Sequence, residues 1–143
     1  MNAASKPAQR QTLANSRLRK HADYQRAYAA GRKRQSASMS WFLAPQTAEG
    51  VARPRVGLTV GKVIGIAHER NRIKRRMREA LRRHVELLPE GFDLIVHPRR
   101  TVLTMDFVQL EREVVRILEQ SQELARSEAA RITTNPAAAP KSR

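Results

Sequence analysis

The chain contains no cysteine. Disulfides, thiolate zinc sites and thiol catalysis are therefore excluded, a composition that fits a reducing compartment. Aromatic residues are scarce as well, at 4% Phe, Trp and Tyr. No apolar run approaches the ~20 residues needed to cross a bilayer. Acids are the remaining shortage: 13 Asp plus Glu stand against 28 Lys plus Arg, a formal charge of +15 over 143 residues. Hydrolysis by two bound metals needs convergent carboxylates, and the acids here are scattered, with no D-x-D or E-x-K arrangement, which argues against a self-sufficient nuclease. The excess of cations asks instead for an anionic partner. A high pI with clustered Lys and Arg points to nucleic acid ahead of an anionic membrane surface or plain solubility.

The length suits a single domain. The N-terminus, "MNAASKPAQRQTLANSRLRK", lacks the apolar stretch of a secretory signal. Being poor in acids and supplied with Ser and Arg, it reads as a disordered basic arm over residues 1–15, with an organelle transit peptide as the alternative. From Ser127 the sequence offers Ala, Pro and charge but little to bury, so residues 127–143 read as a disordered tail. Residues 16–126 remain as the folded unit.

Hydrophobic period assigns its elements. "HADYQRAYAAG" sets Tyr24 and Tyr28 four apart on one helical face, with Gly31 as a stop. "SMSWFLAP" alternates, Met39, Trp41 and Leu43 against Ser38, Ser40 and Phe42, as a strand does. "ARPRVGLTVGK" alternates again, with Val56, Leu58 and Val60 on one side and a nearly bare face of Gly57, Thr59 and Gly61 on the other. "FDLIVHP" is a strand whose run Leu94 to Val96 suits cover on both faces. A last helix is expected with Thr104 as its cap, Asp106 in its first turn and Phe107, Leu110, Val114, Ile117 and Leu118 inward. The order helix, strands, helix, strand, helix predicts a two-layer α/β (α+β) sandwich on a small sheet.

The remaining stretch, "AHERNRIKRRMREALRRH", is the most basic part of the chain and also amphipathic. At 100° per residue, Ile73, Met77, Ala80, Leu81, His84, Val85 and Leu88 fall in one arc. Asn71, Arg75, Arg78 and Arg82 project opposite, with Arg72, Arg76 and Arg83 in a neighbouring row. Like charges at i,i+4 destabilise an isolated helix by about 0.2 to 0.5 kcal/mol per pair, a cost that phosphates would reverse. The blander alternative is a solvated face, but the helix holds only Glu69, Glu79 and Glu86 to pair with so many cations. Upstream, Gly61 and Gly65 lead into the helix, so that Lys62 and backbone N–H groups stand where an anion could dock; glycines needed only for turning explain the same residues. His68 and His84 have no supporting ligand cluster, and packing or capping accounts for them without a metal.

At these residues the sequence resembles the protein subunit of bacterial ribonuclease P, the ribonucleoprotein that removes the 5′ leader from precursor tRNA. The resemblance rests on "RNRIKRRMR", Arg70 to Arg78, preceded by "RVGLTVGKVIGIAHE", and extends more weakly from "SRLRKHADYQRAYAAG" to "LTMDFVQLEREVVRILEQ". It implies a mixed four-stranded sheet with about three helices in the order α-β-β-β-α-β-α, and a left-handed β-α-β crossover. It also implies that the RNA subunit performs the hydrolysis with bound Mg2+, the protein itself holding no cofactor, in the bacterial cytoplasm and without an obligate protein partner. Arg70, Asn71, Arg72, Lys74, Arg75 and Arg78 would then face RNA, joined by Lys62 and Arg82 from the basic pattern. Tyr24, Tyr28 and Phe42 would line a cleft for the single-stranded leader. The wheel alone allows the two tyrosines to be core or platform, whereas the resemblance favours platform. Relatives often place Ala-Arg after the last strand; this chain has His97, Pro98, Arg99 and Arg100, and no contact is assigned there. The alternative function is a structural RNA-binding protein such as a ribosomal component, distinguished by which RNA crosslinks to it.

Overall fold

The computed structural model describes residues 13–46 and 53–134, and backbone hydrogen bonding divides these described residues into three α-helices and four strands. Helix α1 (His21–Ala30) ends where the Gly31 N–H donates to the Ala27 carbonyl at 2.8 Å. Gly31 is required by close approach, since a Cβ there would lie 2.8 Å from the Leu43 carbonyl oxygen. Strand β1 (Arg32–Gln35) follows at once and pairs antiparallel with β2 (Met39–Pro45). β1 escapes the hydrophobic pattern because it is an edge strand whose residues, RKRQ, face solvent over most of their surface.

β2 also pairs antiparallel with β4 (Phe92–Pro98), and β4 pairs parallel with β3 (Arg55–Leu58), giving the order β1-β2-β4-β3. Helix α2 (Ala67–Arg83) makes the crossover between the parallel pair. Beyond β3 the sheet is closed by the N-terminal segment, where the Leu18 N–H donates to the Val56 carbonyl at 2.9 Å and Arg17 bridges Val56.

Helices cover both faces of this sheet. Alternation along β2 and β4 sends Met39, Trp41, Leu94 and Val96 to one side, where they pack with α2 and with α3 (Phe107–Thr134). Phe42, Ala44 and Ile95 point to the other side, against Tyr24, Ala27 and Tyr28 of α1. The bare face of β3 has its explanation here: a Cβ on Gly57 would lie 2.5 Å from the Tyr24 hydroxyl, so the glycine is what lets α1 settle on the sheet. Arg55 locks that contact, with Nε 2.8 Å and an amino nitrogen 3.0 Å from the Asp93 carboxylate and its other amino nitrogen 3.2 Å from Asp23 of α1.

The expected stripe of α2 is inside: Ile73, Met77, Ala80 and Leu81 are all buried. The helix stops at Arg83, and a 3-10 turn at Val85–Leu87 carries the chain on, so His84 and Val85 are half-buried and Leu88 buried without belonging to the helix. α3 starts later than expected, at Phe107, its Leu110 N–H donating to the Asp106 carbonyl at 3.0 Å, while Thr104 ends a 3-10 turn instead of capping. Two expected boundaries are corrected. The tail drawn from Ser127 is helical as far as Thr134, α3 running on beyond Ala125, its last buried residue. At the other end Leu13 to Ser16 form a 3-10 turn, with Leu13 packed against the core, so the arm drawn over 1–15 is ordered from Leu13. The rest of both predicted tails, 1–12 and 135–143, lies outside the described residues.

Candidate nucleic-acid interface

Because the apolar stripe of α2 is buried, the rest of its circumference must carry the charge. Asn71, Arg72, Arg75 and Arg78 are exposed and Lys74 is half-buried. Among the described residues no carboxylate lies within ion-pair distance of these four cations. Arg70 is half-buried, with its Nε donating to the Gly65 carbonyl at 3.0 Å, which fixes the stem and leaves the rest of the guanidinium to other partners.

Other cations of α2 are committed within the protein. Arg82 donates to Glu79 through Nε at 3.2 Å and an amino nitrogen at 2.7 Å, which separates it from the free cations with which it was grouped. The pairing of Arg82 and Arg83 with Glu79 holds that carboxyl at about 2, well below its ordinary range. Arg83 also reaches Glu111 and lies 4.9 Å over the Phe107 ring. Arg76 donates to the Met105 carbonyl and lies 5.9 Å from the same ring. The neighbouring row therefore splits: Arg72 faces outward, while Arg76 and Arg83 fasten α2 to α3. The wheel could not foresee this, because the acceptors come from α3 and the turn before it.

The N-terminus of α2 is likewise supplied from within. Glu69 accepts the Ile66 N–H at 3.3 Å and two guanidinium N–H groups of Arg100 at 2.7 and 2.8 Å, and the Arg100 bond keeps its carboxyl at about 2. A Cβ on Gly65 would lie 2.5 Å from that carboxylate, so this glycine makes room for an internal anion. The expected docking of an outside anion on these N–H groups is thus met in part by Glu69. Lys62, in the preceding turn, stays exposed.

On the far side of β3 the basic face continues into a cavity of about 140 Å³. Its polar rim is Arg17, Tyr24, Lys74 and Arg78, and its back wall is apolar, with Leu18, Val56 and Leu81. Arg17 is a site residue that sequence reading missed, since an extended segment has no helical face to reveal it. Tyr24 is half core: its hydroxyl donates to the Leu18 carbonyl at 3.2 Å, and burial pushes its pKa up, so it stays neutral.

Next to it lies the aromatic cluster. Tyr28 sits 6.4 Å from Tyr24 and meets Phe42 edge-on at 5.0 Å, so the three predicted cleft residues are brought together, each half-buried. A fourth ring joins them: His97 is 5.7 Å from Tyr28 and 5.8 Å from Phe42, with Nε2 2.9 Å from the Tyr28 hydroxyl. Alternation along β4, which puts Asp93, Ile95 and His97 on one face, was the signal that could have found it. Arg99 turns away to the β1–β2 connection, donating to the Ser36 carbonyl at 3.1 Å. An aromatic cleft joined to a row of unpaired cations is what a single-stranded polyanion with stackable bases needs. Among the described residues no group of three or more His, Asp or Glu side chains is placed to hold a metal ion.

Comparison with known proteins gives the same direction. The family model for ribonuclease P matches residues 13–122. The ribonuclease P protein component of Chloroflexus aggregans is 37% identical over 106 residues, covering 73% of this chain and 76% of that one. That of Thermobifida fusca is 34% identical over 103 residues, covering 68% and 70%. Among solved structures, the ribonuclease P protein from Thermotoga maritima superposes with a TM-score of 0.64 at 28% identity, over 73% of this chain and 96% of that one.

Proposed function

The chain belongs to the ribonuclease P protein family, as the protein subunit of the endoribonuclease that processes precursor tRNA, and on that premise we propose that two adjoining surfaces divide its RNA contacts. The subunit associates with ribonuclease P RNA, which carries the chemistry. The outward face of α2, through Arg70, Asn71, Arg72, Lys74, Arg75 and Arg78 with Lys62 beside it, takes phosphates of structured RNA. The cleft of Tyr24, Tyr28 and Phe42 takes the single-stranded 5′ leader. Arg82, its charge partly offset by Glu79, is the weakest member of the set.

The single observation that carries this reading is the cavity where Tyr24 meets Lys74 and Arg78, because it makes stacking rings and unpaired cations continuous. A chain leaving the cleft passes directly onto α2. In this proposal the protein positions substrate by phosphate contact and base stacking, worth ~1 to 3 kcal/mol per stacked base. In this proposal magnesium is a companion of the RNA subunit. No helix among the described residues is long and apolar enough to cross a membrane, and the proposed site of action is the cytoplasm.

Reconstitution tests the reading. Added to bacterial ribonuclease P RNA at low magnesium, the chain should raise cleavage of precursor tRNA and strengthen binding of leader-bearing substrate over mature tRNA. Equal effects on both substrates would remove the cleft from the proposal, and no gain in cleavage would remove the whole of it.

A further inference from the structure

The two ring nitrogens of His97 are in different situations. Nε2 is hydrogen-bonded to the Tyr28 hydroxyl at 2.9 Å. Nδ1 has no hydrogen-bond partner among the described residues, yet it is absent from the side-chain atoms that are both sealed from solvent and unpaired. It therefore keeps some contact with solvent beside the cleft rings. The imidazole is held on three sides, by Tyr28 of α1, by Phe42 of β2 and by the strand pairing that sets His97 opposite Ser40. A ring so fixed presents one polar atom in one direction.

We propose that His97 is a leader-contacting residue, offering Nδ1–H to an acceptor on the single strand while Tyr28 holds the opposite nitrogen. The inference rests on the cleft reading above. When the Tyr28 hydroxyl donates to Nε2, the neutral imidazole must carry its proton on Nδ1, so the outward atom is a donor before any protonation. Protonation keeps that donor and adds charge.

The contact has a measurable signature. In the free protein, burial lowers the pKa of His97 and the Lys33 ammonium of β1 lowers it further. Tyr28 and Phe42 bring no charge to the ring, and among the described residues no carboxylate acts on it. A polyanionic strand at Nδ1 favours the imidazolium and raises that pKa on binding. The added affinity is then fully present below the free-state pKa and fades as pH rises through the bound-state value. A ring that only packs would give no such dependence.

The test uses the full chain and a fluorescent, unstructured single-stranded RNA decamer at constant ionic strength. Affinity should rise about threefold to tenfold between roughly pH 8 and pH 5.5, the size expected when an anion moves an imidazole pKa by up to about one pH unit. In His97→Gln, which can still hydrogen-bond Tyr28 but cannot titrate, this rise should be largely lost. Parallel profiles for the two proteins would overturn the assignment. As a check that needs no variant, the His97 ring proton followed by NMR should show a pKa that rises when the decamer is added, and an unmoved value would overturn it equally. Tyr28→Ala separates the two levels. If it weakens decamer binding while His97→Gln follows the wild-type profile, only the His97 contact falls; if it leaves binding unchanged, the cleft reading falls and takes the inference with it.

Discussion

At the scale of single residues, the arginines of α2 differ in what they already touch, and this orders their expected effects. Arg78 is exposed and unpaired among the described residues, whereas Arg82 shares Glu79 with Arg83. Arg78→Ala should weaken binding to ribonuclease P RNA and flatten the log-log salt dependence by about 0.7 to 0.9, the contribution of one neutralised phosphate. Arg82→Ala should change that slope less, and thermal melting of Arg78→Ala should match wild type. An unchanged slope for Arg78→Ala would contradict the assignment. Gly57 makes a different kind of prediction. An alanine there meets the Tyr24 hydroxyl at 2.5 Å and ring carbons at 2.8 Å, and that hydroxyl is anchored to Leu18. Gly57→Ala should therefore cost about 1 to 3 kcal/mol in chemical denaturation, and it should weaken single-strand binding as well, because the displaced ring lines the cleft.

Elements show where energy is stored and where sequence reading runs out. Leu81 is buried on the α2 stripe, and Leu81→Ala should lose about 2 to 5 kcal/mol by denaturation, with a negligible shift in midpoint contradicting its placement. The start of α2 is held by Glu69 and Arg100. A carboxyl depressed from 4.5 to about 2 contributes stability that is present above its unfolded pKa and lost as pH falls toward 2. The pair is exposed, so the effect is modest, but wild type should lose more of its denaturation midpoint than Arg100→Ala between about pH 5 and pH 2.5. Helix α2, strands β2 and β3 and the inner face of α3 were legible because each repeats a hydrophobic period, and β4 because its continuous apolar run suits cover on both faces. β1 was not, since four polar residues on a sheet edge bury nothing and have no period to read. Its existence came only from the family resemblance. The site divides in the same way. Outward cations follow from the wheel, but the removal of Arg76, Arg82 and Arg83 into internal contacts depends on acceptors on the same helix, on α3 and on the turn before it. His97 joined the rings through strand alternation that continued one residue past the apolar run.

For the whole molecule, a formal charge of +15 means that encounter with RNA is steered over long range and is sensitive to ionic strength. Association rates with ribonuclease P RNA should fall steeply as salt rises, while dissociation of leader-bearing substrate, which in the proposed reading depends on stacking in the cleft, should change less. Stopped-flow binding at two salt concentrations checks this, and equal sensitivity of both rates would contradict it. The two surfaces sit on one rigid frame because Arg55 ties α1 to β4 and because Leu18 lays the N-terminal segment along β3.

Among the described residues, that segment leaves the sheet with one bare margin, at β1. Three consecutive guanidinium and ammonium groups there make a second molecule, equally cationic, a poor neighbour for the unpaired peptide groups. Concentrated protein should accordingly stay monodisperse in dilute buffer and begin to self-associate only when added electrolyte screens the repulsion, a trend that light scattering would register and that neutralising Arg32 and Arg34 would bring on without added salt.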